Sequence, residues 1–266
     1  MTAPEFPGPG SLSWQHYGRR RVLAAVLRLL VLQTAHPMIG AAVTAHSSYG
    51  TDFTGRARRT LLSMETIIYG STALRTGEIR RLNRMHTRFT GLDNLGRRYD
   101  GLNPEARLWV AITLLEHLIT TAQLLGQPLN KHEQHDLHRE WLDLTREFGI
   151  ASDLTPHTLA EFRTAFIRHT TNILENTIAA RTLLDARFLR TALPSGLGMP
   201  APVAIRLTEA TLSADLARRL DLRVSEWQRA EAHTLYRALG AAEQALPDRL
   251  AYFPHAYKAV KAGRPW

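Results

Sequence analysis

The chain contains no cysteine. That absence removes disulfide frameworks, thiolate zinc sites, iron–sulfur clusters and cysteine nucleophiles together, so any metal must be held by nitrogen or oxygen. Lysine is scarce as well: all but three of the 33 basic residues are arginine, scattered along the chain rather than gathered into a binding motif. A formal charge of +9 therefore does not mark a nucleic-acid binder, and nucleic acid is not an expected partner. The N-terminal MTAPEFPGPGSLSW lacks the basic start, apolar middle and small-residue cleavage site of a secretory signal, so a cytoplasmic setting is the expectation. Uninterrupted hydrophobic runs are missing too. The most apolar stretch, Val22 to Val43, carries Arg28, Gln33, His36 and Pro37, which a lipid-spanning helix tolerates poorly. It reads as buried protein core, with no transmembrane segment. No alternating strand pattern of useful length and no internal repeat is visible.

What remains is a helical pattern. With 266 residues and 44% apolar composition the chain can bury one large core. Its 17 glycines and 13 prolines cluster at the ends and in a few interior breaks, which leaves most of the sequence free to be helical. The expected fold is all-α, a single multi-helix globular domain over residues 14–266 behind a flexible N-terminal arm, residues 1–13. Arg19 to Ala35 is too densely apolar for a surface helix, and His36-Pro37 interrupts or kinks it.

Thr54 is a suitable N-cap for a helix reaching about Tyr69, and Gly70-Ser71 separates it from a second one running to about Phe89, with Gly91 as its C-cap. Asn103-Pro104 opens a third, which stops at Gly126. Asn130 and Glu133 have the spacing of a capping box, ahead of a polar helix ending near Phe148. Thr155-Pro156 begins a long helical stretch to about Leu193, Pro194 to Pro202 is the clearest break, and two or three helices fill Val203 to Leu246.

Twelve histidines in a chain without cysteine make imidazole the natural candidate ligand. His132, His135 and His138 share a helix face, where three-residue spacing fits either a zinc or nickel site or a solvated surface. His86, with Leu82 and Phe89 at i−4 and i+3, lies on the apolar face of its helix. It is either a hydrogen-bonded core histidine or an axial haem ligand. Arg56, Arg59 and Thr60 are neighbours on the preceding helix, as ordinary surface groups or as an arginine and hydroxyl set able to bind dioxygen or an oxyanion. For His36 and His46, ring hydrogen bonds that fix a loop are the simplest reading.

Several strings carry a resemblance when taken together. They are Leu32-Gln-Thr-Ala-His-Pro37, Ala45-His-Ser47, Gly55-Arg-Ala-Arg-Arg-Thr60, Tyr69-Gly70, Arg84-Met-His-Thr-Arg88 with Gly91, Tyr99-Asp-Gly-Leu-Asn-Pro104 and Leu250-Ala-Tyr-Phe-Pro-His-Ala-Tyr257. In this order they resemble the family of MpaB-type oxygenases and bacterial latex-clearing proteins. The resemblance implies an all-helical protein with haem b buried between helices, His86 as iron ligand, and Arg56, Arg59 and Thr60 on the distal side. It also implies dioxygen and a small apolar substrate as reactants, with an electron donor as a further partner. Oxidative alkene cleavage or hydroxylation is the expected reaction. The chain departs from the family where Trp109-Val110 is followed by Ala111 instead of histidine, the nearest being His117. Glu65 and Glu116 are the candidates for the general base of the rubber-cleaving members. The lack of an export signal points away from extracellular polyisoprene. The alternatives are a haem-free basic helical interaction protein, and a non-haem metal enzyme built on the helix near His132.

Overall fold

The computed structural model describes residues 8–46, 52–192 and 200–266. Among these, fifteen α-helices carry the fold and one two-stranded sheet interrupts them, so the protein is all-α as expected. The chain enters through α1 (Leu12–Tyr17), capped by the Ser11 side chain. The Glu140 carboxylate accepts from the backbone N–H groups of Leu12 and Ser13 at 2.8 and 2.7 Å. Helical structure thus starts at Leu12, slightly ahead of Trp14, while the first seven residues of the expected arm lie outside the described residues.

The apolar stretch is buried core, but it is not one helix. A 3-10 turn (Arg20–Leu23) leads into α2 (Val26–Thr34), and His36-Pro37 turns the chain by 100° into α3 (Pro37–His46). Among the described residues no single helix is long and apolar enough to cross a membrane; only the bent α2 and α3 pair passes such a test together. The motif residue Ser47 and residues 48–51 lie outside the described residues.

The next elements are α4 (Phe53–Tyr69) and α5 (Thr72–His86), which pack on each other as a helical hairpin. Asp52, rather than Thr54, caps α4, its carboxylate accepting from Gly55 N–H at 3.0 Å. A carboxylate at this position also meets the positive end of the helix dipole. The second helix stops at His86, three residues short of Phe89, because the chain then pairs with itself. Strand β1 (Thr90–Leu92) runs antiparallel to β2 (Arg98–Asp100), and Gly91, expected as a helix cap, sits opposite Tyr99.

The longest helix, α6 (Pro104–Leu124), is the axis of the main core. Asn103 caps it through Ala106 N–H, and Gly126 ends it at φ +78°, a conformation that glycine adopts without strain. Trp109 on this helix is fully buried and donates from Nε1 to the Leu32 carbonyl at 2.9 Å, tying α6 to α2. The expected capping box at Asn130 and Glu133 is present and starts α7 (Lys131–Glu147).

The expected long helix after Pro156 is instead four pieces. They are α8 (Leu159–Arg168), a π-helical turn (His169–Ile173), α9 (Ile178–Leu183) and α10 (Ala186–Ala192). Thr158, not Thr155, caps α8, and Leu174 to Thr177 breaks the run so that Glu175 N–H can bond Ala35 O and the Thr177 hydroxyl can bond Thr34 O. Tertiary hydrogen bonds to the α2 terminus therefore replace helical ones. Of the break at Pro194 to Pro202, residues 193–199 lie outside the described residues. Three helices fill the next region, α11 (Ala201–Thr211), α12 (Ala214–Arg219) and α13 (Glu226–Gln244), and α14 (Asp248–Ala251) and α15 (Pro254–Ala262) follow. A second core joins Trp14, Ile67, Ile68 and Tyr69 to Tyr252, Phe253 and Ala256, and so fixes α4 between the two ends of the chain.

Candidate functional site

The two-residue connection at Gly70-Ser71 folds α5 back along α4, which sets the start of α4 beside the end of α5. From there the charge of Arg56 acts on His86. His86 is half-buried, and its pKa is held below the usual histidine value, first by burial and then by the positive charges of Arg107, Arg56 and Arg81. The ring is therefore neutral near pH 7, the form in which imidazole binds a metal. Neither of its nitrogens is hydrogen-bonded among the described residues, which sets it apart from a satisfied core histidine.

The loop after β2 closes this end of α5. A side chain at Gly101 would meet the His86 carbonyl at 2.5 Å, so glycine is needed for the close approach. The Phe89 ring lies 5.6 Å from His86 and stacks on His46 at 5.4 Å, and His46 Nε2 hydrogen-bonds the Tyr99 hydroxyl at 2.9 Å. His46 thus fastens the end of α3 to the hairpin, as its sequence reading expected. Arg107 is held by Asn83 Oδ1 and the Phe148 carbonyl, so its charge is fixed in place.

Arg59 and Thr60 are placed differently from Arg56. Arg59 pairs with Asp52 at 3.1 Å on the surface, and Thr60 is exposed. The two glutamates considered as bases are engaged elsewhere. Glu116 forms a buried two-point ion pair with Arg28, at 2.6 and 2.8 Å, and accepts from Thr120. Glu65 bonds His255 through Oε2 at 3.3 Å, leaving Oε1 without a partner. His117, the histidine nearest the family position at Ala111, is buried, bonds the Val22 carbonyl at 2.9 Å, and has its pKa lowered to about 4, chiefly by burial.

The histidines of α7 separate rather than converge. His132 and His135 are exposed, His132 beside Asp136 at 3.2 Å, whereas His138 is buried, stacked on Trp141 and bonded to the Pro156 carbonyl. Among the described residues no group of three histidine, aspartate or glutamate side chains could hold a metal ion. A metal at His86 would therefore need most of its ligands from a non-protein group. A porphyrin supplies four nitrogens, and its carboxylates would suit the arginine-rich surroundings, so the residues present fit haem.

A protein-family model described as the catalytic domain of ER-bound oxygenase mpaB/B′ and rubber oxygenase matches residues 14–245. The chain belongs to this family. No curated protein matches it. Membership makes an oxygenase type of function the general assignment, and with it an oxidoreductase. Of the residues described in this site, the family match covers all but His255.

Sequence reasoning missed the buried pair His36 and His169. His36 Nδ1 and His169 Nε2 have no hydrogen-bond partner among the described residues. A loop-fixing bond had been expected for His36, and the only signal for the pair was the position of His36 before a proline.

Proposed function

We propose that the protein is a haem-b-dependent oxygenase that acts with dioxygen on a small apolar molecule, with His86 as the iron ligand. The observation that carries the reading is the neutral, unbonded imidazole of His86 at the end of α5 beside the Arg56 guanidinium of α4. When bound, haem supplies dioxygen binding and activation.

The chain's own residues supply position and charge. His86 holds the cofactor from a helix end anchored by Gly101 and the β1–β2 hairpin. Arg56, Arg81 and Arg107 provide a positive field that stabilises negative charge nearby. Thr60 offers a hydroxyl donor and Arg59 a second guanidinium, paired with Asp52 on the exposed face of α4. Glu116 is not available as a base, because its carboxylate neutralises Arg28. Oxidative alkene cleavage or hydroxylation fits a substrate bound against leucine, isoleucine, valine and methionine side chains. A cytoplasmic setting and an electron donor belong to the same reading.

The test is the visible spectrum of the purified protein after expression with haem precursor, followed by reduction and pyridine treatment. An intense Soret band with a haem-b pyridine spectrum is expected, with the band lost in His86→Ala. Thr60→Ala is expected to keep haem and lose turnover. A protein that takes up no haem would sink the reading and favour the basic interaction protein, recognised by a steep salt dependence of binding to acidic partners.

A further inference from the structure

His36 and His169 lie outside the residues assigned to haem and are more deeply buried than His86. His36 stands at the 100° corner between α2 and α3 and is 4% exposed; His169 opens the π-helical turn and is 1% exposed. Their ring centroids are 6.5 Å apart. Each has a buried ring nitrogen without a partner among the described residues, Nδ1 in His36 and Nε2 in His169. The tautomer of His169 follows from its other nitrogen: Nδ1 donates to the Ala165 carbonyl at 2.8 Å, which leaves Nε2 as a bare lone pair. That bond to a backbone carbonyl is the outer-shell arrangement that orients metal-binding histidines. Trp109 stacks on the His169 ring at 4.8 Å and 8°, and Phe166 stacks on the same indole at 5.6 Å. The orientation of the lone pair is thus fixed by packing as well as by hydrogen bonding.

We propose that His36 and His169 form a buried two-imidazole site that takes a single copper(I) ion. Both rings are neutral near pH 7, since burial lowers the pKa of His36 to about 4 and that of His169 below its ordinary value. The number of donors selects the ion. No third histidine, aspartate or glutamate completes the set among the described residues. Zinc is held by four donors, and magnesium and calcium by oxygen. A closed-shell monovalent ion accepts two neutral nitrogen donors in line. Its single charge is also less costly than a double one to bring among aromatic rings. Glu175 acts electrostatically on His36, and Arg168 and Glu105 act on His169 with opposite signs, so the two carboxylates offset part of the added charge without binding the ion. The π-helical turn that presents His169 is of a kind that occurs often at functional sites.

The experiment uses the purified full chain under argon. Copper(I) is offered in competition with a chromophoric chelator, the protein is desalted and its copper measured, and the bound metal is examined by X-ray absorption. One copper(I) per chain with a two-nitrogen spectrum is expected. His169→Phe keeps an aromatic ring against Trp109 but removes the donor, and His36→Gln removes the other. Each is expected to weaken binding by more than the ~10–100-fold that loss of an outer-shell partner costs. His132→Ala, at an exposed histidine, is expected to leave copper uptake unchanged. Failure of the native protein to retain copper(I), preference for zinc, or full retention in a correctly folded His36→Gln or His169→Phe protein would each overturn the proposal. Circular dichroism establishes folding, and failure of the native protein to retain copper(I) overturns the proposal even if both variants unfold.

Discussion

The seam between α2 and α6 and the tip of the α4–α5 hairpin treat polar groups in opposite ways. In the seam, Arg28 and Glu116 bond each other through both oxygens, and His117 is bonded to Val22 and Thr121. At the hairpin tip, no side-chain hydrogen bond holds His86 among the described residues, and three arginines disfavour its charged form. A buried polar group left without its partner costs more than a paired one contributes, so the seam is where substitution damages the fold. The tip is only half-buried, and its arrangement is suited to an incoming ligand rather than to stability.

The largest expected break in this contrast is Glu116→Ala, which strands the Arg28 guanidinium in the core. Loss of one partner of a buried pair costs about 3–5 kcal/mol, to be read as a shift in the denaturant midpoint at unchanged slope. Replacing Arg28 and Glu116 together by apolar residues should recover much of that loss, which separates pairing from packing.

A pH titration of stability sharpens the same comparison. His16, His36 and His117 have native pKa values lowered to about 4 from 6.5, with burial the largest cause in each. Below the unfolded-state value the unfolded chain binds more protons than the native one, so stability is expected to hold above pH 6.5 and to fall as pH drops toward 4. Chemical denaturation at stepped pH measures this. His117→Asn should flatten the fall, whereas His132→Ala, at an exposed site, should not. Smaller still is the effect of Asp52→Ala, which removes the α4 cap and frees Arg59. A loss of about 1 kcal/mol is expected by thermal or chemical unfolding. A much larger loss would show that the tip is a stability element after all, and would erase the contrast with the seam.

Features whose cause is local were legible in the sequence. The Asn130 and Glu133 box, the Asn103-Pro104 start and the corner at His36-Pro37 all depend on neighbours within one turn, and all are present. Asp52 and Thr54 are both good caps, and only the reach of the Asp52 carboxylate to Gly55 decides between them. The β1–β2 hairpin escaped notice because its six strand residues bury only Tyr99, too little for an alternating pattern. The break after His169 escaped notice because its cause is the distant α2 terminus, which takes hydrogen bonds from Glu175 and Thr177. For the candidate site, family motifs supplied Arg56, Arg59, Thr60 and His86. Their separation into one group beside His86 and one on the surface was not in the motifs.

By itself the sequence determined the all-helical class, the main helix starts and the absence of thiol chemistry, because these follow from composition and short-range spacing. The tertiary structure decided which polar groups are paired and which are left open. That choice depends on segments far apart in the chain meeting, as α2 meets α6 at Arg28 and Glu116, and as the corner between α2 and α3 meets the π-helical turn at His36 and His169. Partnering in a low-dielectric interior is a property of the packed arrangement, and no single segment carries it.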